Sequence, residues 1–144
     1  MLVNSIIQNA AIALNKRCGD RALFEARVLL GIAIGKQEAV YPHLNIQINE
    51  KQERLFYRLI IERINGKPIS RIRGWREFWS HRFKLNESTL DPRPESELLV
   101  EKAVFFAQSK LLHKYENLRL LDLGTGSGCL LLSCLSELEY AVGI

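Results

Sequence analysis

The residues with the clearest capacity for chemistry lie together near the end of the chain, in Leu120-Leu121-Asp122-Leu123-Gly124-Thr125-Gly126-Ser127-Gly128-Cys129. The order is an apolar strand, a carboxylate, a turn with glycine at every second position, and then the start of a helix. Glycine at 124, 126 and 128 lets the backbone bend sharply and come close to a ligand where a Cβ would collide. A carboxylate at the strand end offers a hydrogen-bond acceptor for a cationic group of that ligand. The spacing is not that of a dinucleotide fingerprint, which requires G-x-G-x-x-G and so a glycine where this chain has Cys129. A dehydrogenase reading is correspondingly weak.

The remaining chemistry-bearing residues point nowhere so sharply. Cys18, Cys129 and Cys134 are odd in number and show no C-x-x-C spacing, which favours buried free thiols over disulfides or a zinc site. His81 stands in a polar Ser80-His81 pair with no second ligand at metal spacing, and reads as a solvated turn residue. No metal site is expected. The stretch from Lys51 to Lys84 holds ten basic residues against three acids. That excess could steer the protein toward an acidic partner or a nucleic acid, but a solvated helix face followed by a polar hairpin accounts for it, and nucleic acid is not expected.

The elements that must position the glycine turn follow from periodicity. Ile6, Ala10, Ala13 and Leu14 recur at helical spacing. Leu23, Ala26, Leu30, Ala33 and Ile34 form the stripe of a second helix, with Asp20 as candidate N-cap and Gly35 as stop. Asn49 and Gln52 read as a capping box before Leu55, Phe56, Leu59, Ile60 and Ile64, and Gly66 with Pro68 ends that helix. From Ile72 to Leu85 the pattern becomes that of a β-hairpin, with Ser80-His81 at the turn and Trp75 and Trp79 as packing anchors. Asp91-Pro92-Arg93-Pro94 is a stiff linker into a helix through Leu98, Leu99, Ala103, Phe106 and Ala107. Leu118 to Leu123 is a strand, Leu130 to Leu135 a helix, and Tyr140 to Ile144 a second strand.

The fold class expected is α+β: a helical bundle over residues 1–68, a β-hairpin connector over 69–90, and over 91–144 the start of a Rossmann-like α/β domain. At 144 residues, with 47% apolar and 25% charged residues and a net charge of +4, the chain is ordinary for a globular protein. No run approaches a membrane span, and Asn4, Gln8 and Asn9 interrupt any signal-like segment, so a cytoplasmic location is expected.

Three blocks together resemble the HemK/PrmC family of peptide chain release factor N(5)-glutamine methyltransferases. They are Asp20 to Pro42 with its Ala-Arg-Val-Leu-Leu core; Gly66-Lys67-Pro68-Ile69 running into Arg76-Glu77-Phe78-Trp79 and Pro92-Arg93-Pro94-Glu95-Ser96-Glu97; and Asp122-Leu123-Gly124-Thr125-Gly126-Ser127-Gly128. The last block alone is similar to the first motif of S-adenosylmethionine-dependent methyltransferases. Asp91, where the family usually has an apolar residue, and Ser96, where threonine is commoner, depart from the pattern. The resemblance implies a helical domain that helps dock a class I release factor, and an S-adenosylmethionine-binding domain that methylates the glutamine amide of its Gly-Gly-Gln motif. It implies that Gly124, Thr125, Gly126, Ser127 and Gly128 surround the methionine part of the cofactor and that Asp122 orients its ammonium. The ribose-holding acid would follow Ala141-Val142-Gly143-Ile144, and the family's Asn-Pro-Pro-Tyr motif does not occur, so no catalytic residue is assigned. Residues 1–144 by themselves are expected to be inactive, and the region from Leu118 onward to be mobile or aggregation-prone in isolation. The alternatives are a non-enzymatic module that binds a release factor, and part of a nucleic-acid methyltransferase using the basic stretch.

Overall fold

The computed structural model describes residues 3–41, 46–109 and 118–144. Its elements are α1 (Val3–Cys18), α2 (Ala22–Ala33), α3 (Glu50–Ile64), α4 (Ile69–Arg73), β1 (Trp75–Phe78), β2 (His81–Lys84), α5 (Glu97–Gln108), β3 (Leu118–Leu120), α6 (Cys129–Glu137) and β4 (Ala141–Gly143). Single 3₁₀ turns precede α2 and α5. The chain is thus mixed helix and sheet, and it divides into two compact units, Met1–Arg73 and Gly74–Ile144.

The first unit is helical because its apolar residues fall on single faces. Ile6, Ala10 and Leu14 of α1, Ala26, Leu29 and Leu30 of α2, and Phe56, Leu59 and Ile60 of α3 are buried in one core, whereas Ala13 of the expected stripe is exposed. Stops and starts are local. The Asn49 side chain accepts from the Gln52 N–H at 2.9 Å while Gln52 returns the bond to the Asn49 N–H, a complete capping box for α3. Gly35, at φ +77°, closes α2 with the Lys36 N–H donating to the Gly31 carbonyl at 2.8 Å. The segment after α2 folds back along that helix, its Val40 N–H donating to the Arg27 carbonyl at 3.1 Å. A Cβ on Gly31 would run into the Glu38 carbonyl oxygen, which is why glycine sits inside this helix.

One charged pair lies inside this unit. Glu25 of α2 is 4% exposed, and the Arg63 guanidinium of α3 donates to it at 2.6 Å, with the Cys18 thiol donating at 3.1 Å. Burial alone would raise the Glu25 carboxyl, but Arg63, Cys18 and Arg21 together hold it below the usual glutamate range. Burial and the neighbouring Glu25 push the Cys18 thiol up.

Two expectations need correction here. Asp20 does not cap α2: it lies in the 3₁₀ turn Gly19–Arg21, and the capping position falls on Arg21, with no side-chain bond. Ile72 does not open the hairpin. It belongs to α4, which Pro68 starts by accepting at its carbonyl from the Arg71 and Ile72 N–H groups. Pro42, expected to break the chain, lies outside the described residues.

In the second unit β1 and β2 form the antiparallel hairpin, with Trp75 opposite Lys84 and Phe78 opposite His81. Its two-residue turn is Trp79-Ser80, at φ +50° and +60°, and not Ser80-His81. This is the left-handed conformation of a type I′ turn, usually occupied by Asn or Gly. Phe78 and Phe83 meet edge-on, 6.3 Å between centroids, and with Val100, Cys129 and Cys134 they make the unit's small core. β3 and β4 pair in parallel, Leu118 with Ala141 and Leu120 with Gly143, and α6 connects them. Gly143 lets that helix lie close, since a Cβ there would meet Leu135 Cδ1 at 2.7 Å. Leu98 and Phe106 of α5, expected in the apolar stripe, are 56% and 66% exposed.

Candidate functional site

The glycine turn leaves β3 at Leu120 and enters α6 at Cys129. The parallel ladder continues past the strand ends: the Ile144 N–H donates to the Leu120 carbonyl at 2.8 Å, and the Asp122 N–H to the Ile144 carbonyl at 3.0 Å. Asp122 is therefore fixed by its backbone as the last sheet residue before the turn. Gly124, Gly126 and Gly128 have φ of +78°, +58° and +78°, where an L-residue costs roughly 1–2 kcal/mol. The turn closes on itself through the Gly128 N–H, which donates to the Thr125 carbonyl at 2.8 Å.

Space around the turn is uneven. A Cβ on Gly124 would meet nothing within 4 Å, and one on Gly126 would meet only the Gly124 carbonyl oxygen at 3.8 Å. This side of the turn is open cradle. A Cβ on Gly128 would press on Leu132 Cδ1 at 3.2 Å, so that glycine serves the packing of α6 as well as the bend. Gly128 is the N-cap of α6 and supplies no side-chain acceptor. The first-turn amides of a helix lack intrahelical partners and carry the positive end of its dipole, which suits a carboxylate or phosphate. Thr125 is exposed and Ser127 half-buried within the same turn.

Asp122 carries the main electrostatic feature. Its Oδ2 atom is buried and has no hydrogen-bond partner among the described residues, a state costly for a carboxylate unless something cationic or hydrogen-bonding completes it. Burial first, then the Asp122 charge, pushes the Cys134 thiol up. Both residues line a hollow of about 170 Å³ whose other walls include Leu99, Val100, Leu121 and Leu131. Cys129 is buried at the start of α6, where it fills space behind the turn. The arrangement can hold a small zwitterionic group: an unsatisfied carboxylate for its cation, a helix start for its anion, and open glycine backbone for close approach.

Sequence reasoning did not find the hydrogen bonds of Trp79. Its backbone N–H donates to Glu97 Oε1 at 3.0 Å and its indole Nε1–H to Glu137 Oε1 at 2.7 Å, so carboxylates at the start of α5 and the end of α6 hold a turn of unfavourable φ. Glu77, Ser80, His81 and Ser136 complete, with these three, the lining of an open hollow of about 660 Å³. Among the described residues no group of His, Cys, Asp or Glu is placed to hold a metal ion, and no helix is long and apolar enough to cross a membrane. Asp91, the departure noted in the linker, pairs with Arg76 of β1 at 3.3 Å.

Comparison with known proteins agrees with the motifs. Residues 5–74 match the model of the PrmC N-terminal domain. The chain is 37% identical over 134 residues to a release factor glutamine methyltransferase of Haemophilus influenzae, covering 92% of this chain and 46% of that protein. It is 35% identical over 127 residues to the release factor glutamine methyltransferase of Bradyrhizobium diazoefficiens, covering 87% and 42%. A bifunctional methyltransferase of Rickettsia felis is 33% identical over 96% of this chain and 31% of its own length. The chain spans less than half the length of these curated relatives. It belongs to the HemK/PrmC family, of which it represents the N-terminal part.

Proposed function

We propose that this chain is the front part of an S-adenosylmethionine-dependent methyltransferase acting on the glutamine side-chain amide of the Gly-Gly-Gln motif in class I peptide chain release factors. In this reading residues 91–144 begin a Rossmann-like cofactor domain, and residues 1–68 help dock the release factor in the cytoplasm. The observation that carries it is the buried, unpartnered Oδ2 of Asp122 beside an open glycine turn at the start of α6.

When bound, S-adenosylmethionine supplies an electrophilic methyl group. The chain's own residues do the holding. Asp122 accepts from the ammonium, the first turn of α6 faces the carboxylate, and Gly124 and Gly126 let the backbone approach. Alignment of donor and acceptor is the larger part of such catalysis, worth about 7–11 kcal/mol when the geometry is right. No Asn-Pro-Pro sequence occurs in residues 1–144 to hold a glutamine amide. A polypeptide of these residues alone is therefore expected to grip the cofactor weakly and to transfer no methyl group.

Equilibrium dialysis with labelled S-adenosylmethionine tests the assignment. Binding lost on Asp122→Asn and on Gly126→Val, with an unchanged circular dichroism spectrum, is the expected result. Binding that ignores both substitutions would remove the cofactor reading. Peptide mass spectrometry of a release factor treated with the whole protein that contains this chain tests the substrate: a methyl group anywhere other than the Gly-Gly-Gln glutamine would count against it.

A further inference from the structure

Three residues of the second unit run against local preference, and they meet at one point. Trp79 and Ser80 fill a type I′ turn at φ +50° and +60°, where Asn and Gly sit at lower cost. Glu137 closes α6, where the negative end of the helix dipole disfavours a carboxylate, and the last turn of α6 carries no basic residue to offset it. The Trp79 indole Nε1–H donates to Glu137 Oε1 at 2.7 Å, and the Trp79 backbone N–H to Glu97 Oε1 at 3.0 Å. All of these residues lie within Gly74–Ile144. One residue thus ties the hairpin turn to the start of α5 and to the end of α6. Stability alone would favour Asn-Gly in the turn and a cation at the helix end. Departures that converge in two charge-assisted hydrogen bonds mark a constraint on position.

The element so held is the one that carries the glycine turn. Gly128 is the N-cap of α6, and the amides of its first turn have no intrahelical partners. The helix has nine residues and is about 13 Å long, so a shift at Glu137 re-aims those amides at the other end. Its sheet side is set by Gly143, where a Cβ would meet Leu131 and Leu135. Such apolar contact is non-directional: it fixes how far the helix stands from the strand, not where it lies along it. The bond from Trp79 is directional and acts at the helix end, where it stops the slide. Its anchor is itself held, because Trp79 packs against the core of Phe78, Phe83, Val100, Cys129 and Cys134.

We infer that Trp79 is a positioning residue: through its bond to Glu137 it acts as a strut that sets α6, and with it the first-turn amides beside the glycine turn, so that occupancy of the turn is coupled to the hairpin. The inference rests on the cofactor reading proposed above, and S-adenosylmethionine is the probe. The test uses the whole protein that contains this chain, with isotope-labelled tryptophan. The Trp79 indole N–H signal is identified by its loss in Trp79→Phe. In the unaltered protein the cofactor should move that signal. Glu137→Ala should weaken cofactor binding about tenfold, the size of one hydrogen bond to a charged group, and leave the indole signal indifferent to the cofactor. Glu137→Gln keeps an acceptor oxygen and should stay within about threefold of the unaltered protein. Glu139→Ala removes another exposed carboxylate just past the same helix end and should change nothing. The melting temperature should hardly move in the Glu137 variants, because the bond they alter is exposed. Binding of full strength in both Glu137→Ala and Trp79→Phe would overturn the strut and leave the cofactor reading standing. Glu137→Gln as weak as Glu137→Ala would also overturn it, since charge and not the bond would then be responsible. An unaltered protein with no saturable binding would remove the cofactor reading and the inference with it.

Discussion

The two units solve the burial problem differently. In the first, Ile6, Ile7, Leu14, Leu29, Leu30, Val40 and Phe56 are at most 1% exposed, within a bundle of short helices. In the second, Leu98, Leu99, Phe105, Phe106, Leu123 and Val142 are all more than half exposed, although the unit is of similar length. The contrast follows from architecture. Amphipathic helices bury their stripes against one another, so a bundle closes with few elements. A parallel strand-helix-strand unit needs covering on both faces of its sheet and neighbours at its edges. The proposed cofactor turn belongs to the open unit.

Glu25→Gln should break the comparison most severely if the closed unit owes its order to its buried ion pair. The substitution leaves the Arg63 guanidinium 15% exposed and without its carboxylate, a situation that costs about 3–5 kcal/mol. Urea unfolding followed at the helical signal measures it. The pH dependence has a definite sign. Because the folded-state pKa of Glu25 is lowered, the pair stabilises the fold above the unfolded-state pKa, about 4.3, and that contribution is lost as pH falls through the lower folded value. The gap between Glu25→Gln and the unaltered chain should therefore be full at pH 7 and shrink on acidification below about pH 4. A gap that grows in acid would show that Glu25 is not held as its ionised form.

Matched core truncations sharpen the contrast. Leu29→Ala, in the first unit, should cost about 2–5 kcal/mol because the surrounding helices cannot collapse into the gap. Phe78→Ala removes more volume from the second unit, yet should cost less than the roughly 3–5 kcal/mol usual for a buried phenylalanine, since its small core has room to relax. Hydrogen exchange separates the two units: amides of Leu29 and Leu30 should exchange only by global unfolding, and those of β3 and β4 by local opening. Equal protection in both would end the distinction.

Asn49→Ala should cost about 1 kcal/mol, the ordinary value of an N-cap, and this brings out what a sequence can disclose. The Asn49–Gln52 box and the stops at Gly35 and Gly66 were readable because each depends on residues within one helical turn. The glycine turn was readable for the same reason. The Glu25–Arg63 pair was not, since its partners lie 38 residues apart and no local pattern joins them. Nor was the turn at Trp79-Ser80, where the usual Asn or Gly signal is missing and the left-handed backbone is held by Glu97 from elsewhere in the fold. Of the candidate site, the loop was legible and the unsatisfied state of Asp122 was not, because that depends on what α5 and α6 pack around it.

The smallest expected effect bears most directly on the open unit. Phe105, in the last turn of α5, is 74% exposed, and Phe105→Lys replaces an apolar surface by a good helix former suited to the helix C-terminus. If the exposed residues of this unit contribute nothing to its own folding, stability measured at low concentration should change by no more than about 0.5 kcal/mol. Association at high concentration, read by light scattering, should fall, because the exposed apolar side chains of α5 have lost their most exposed member. A clear loss of stability would mean that Phe105 is folded against something in the isolated chain after all. The second unit would then be closed by its own residues, and the difference between the two halves would be one of degree.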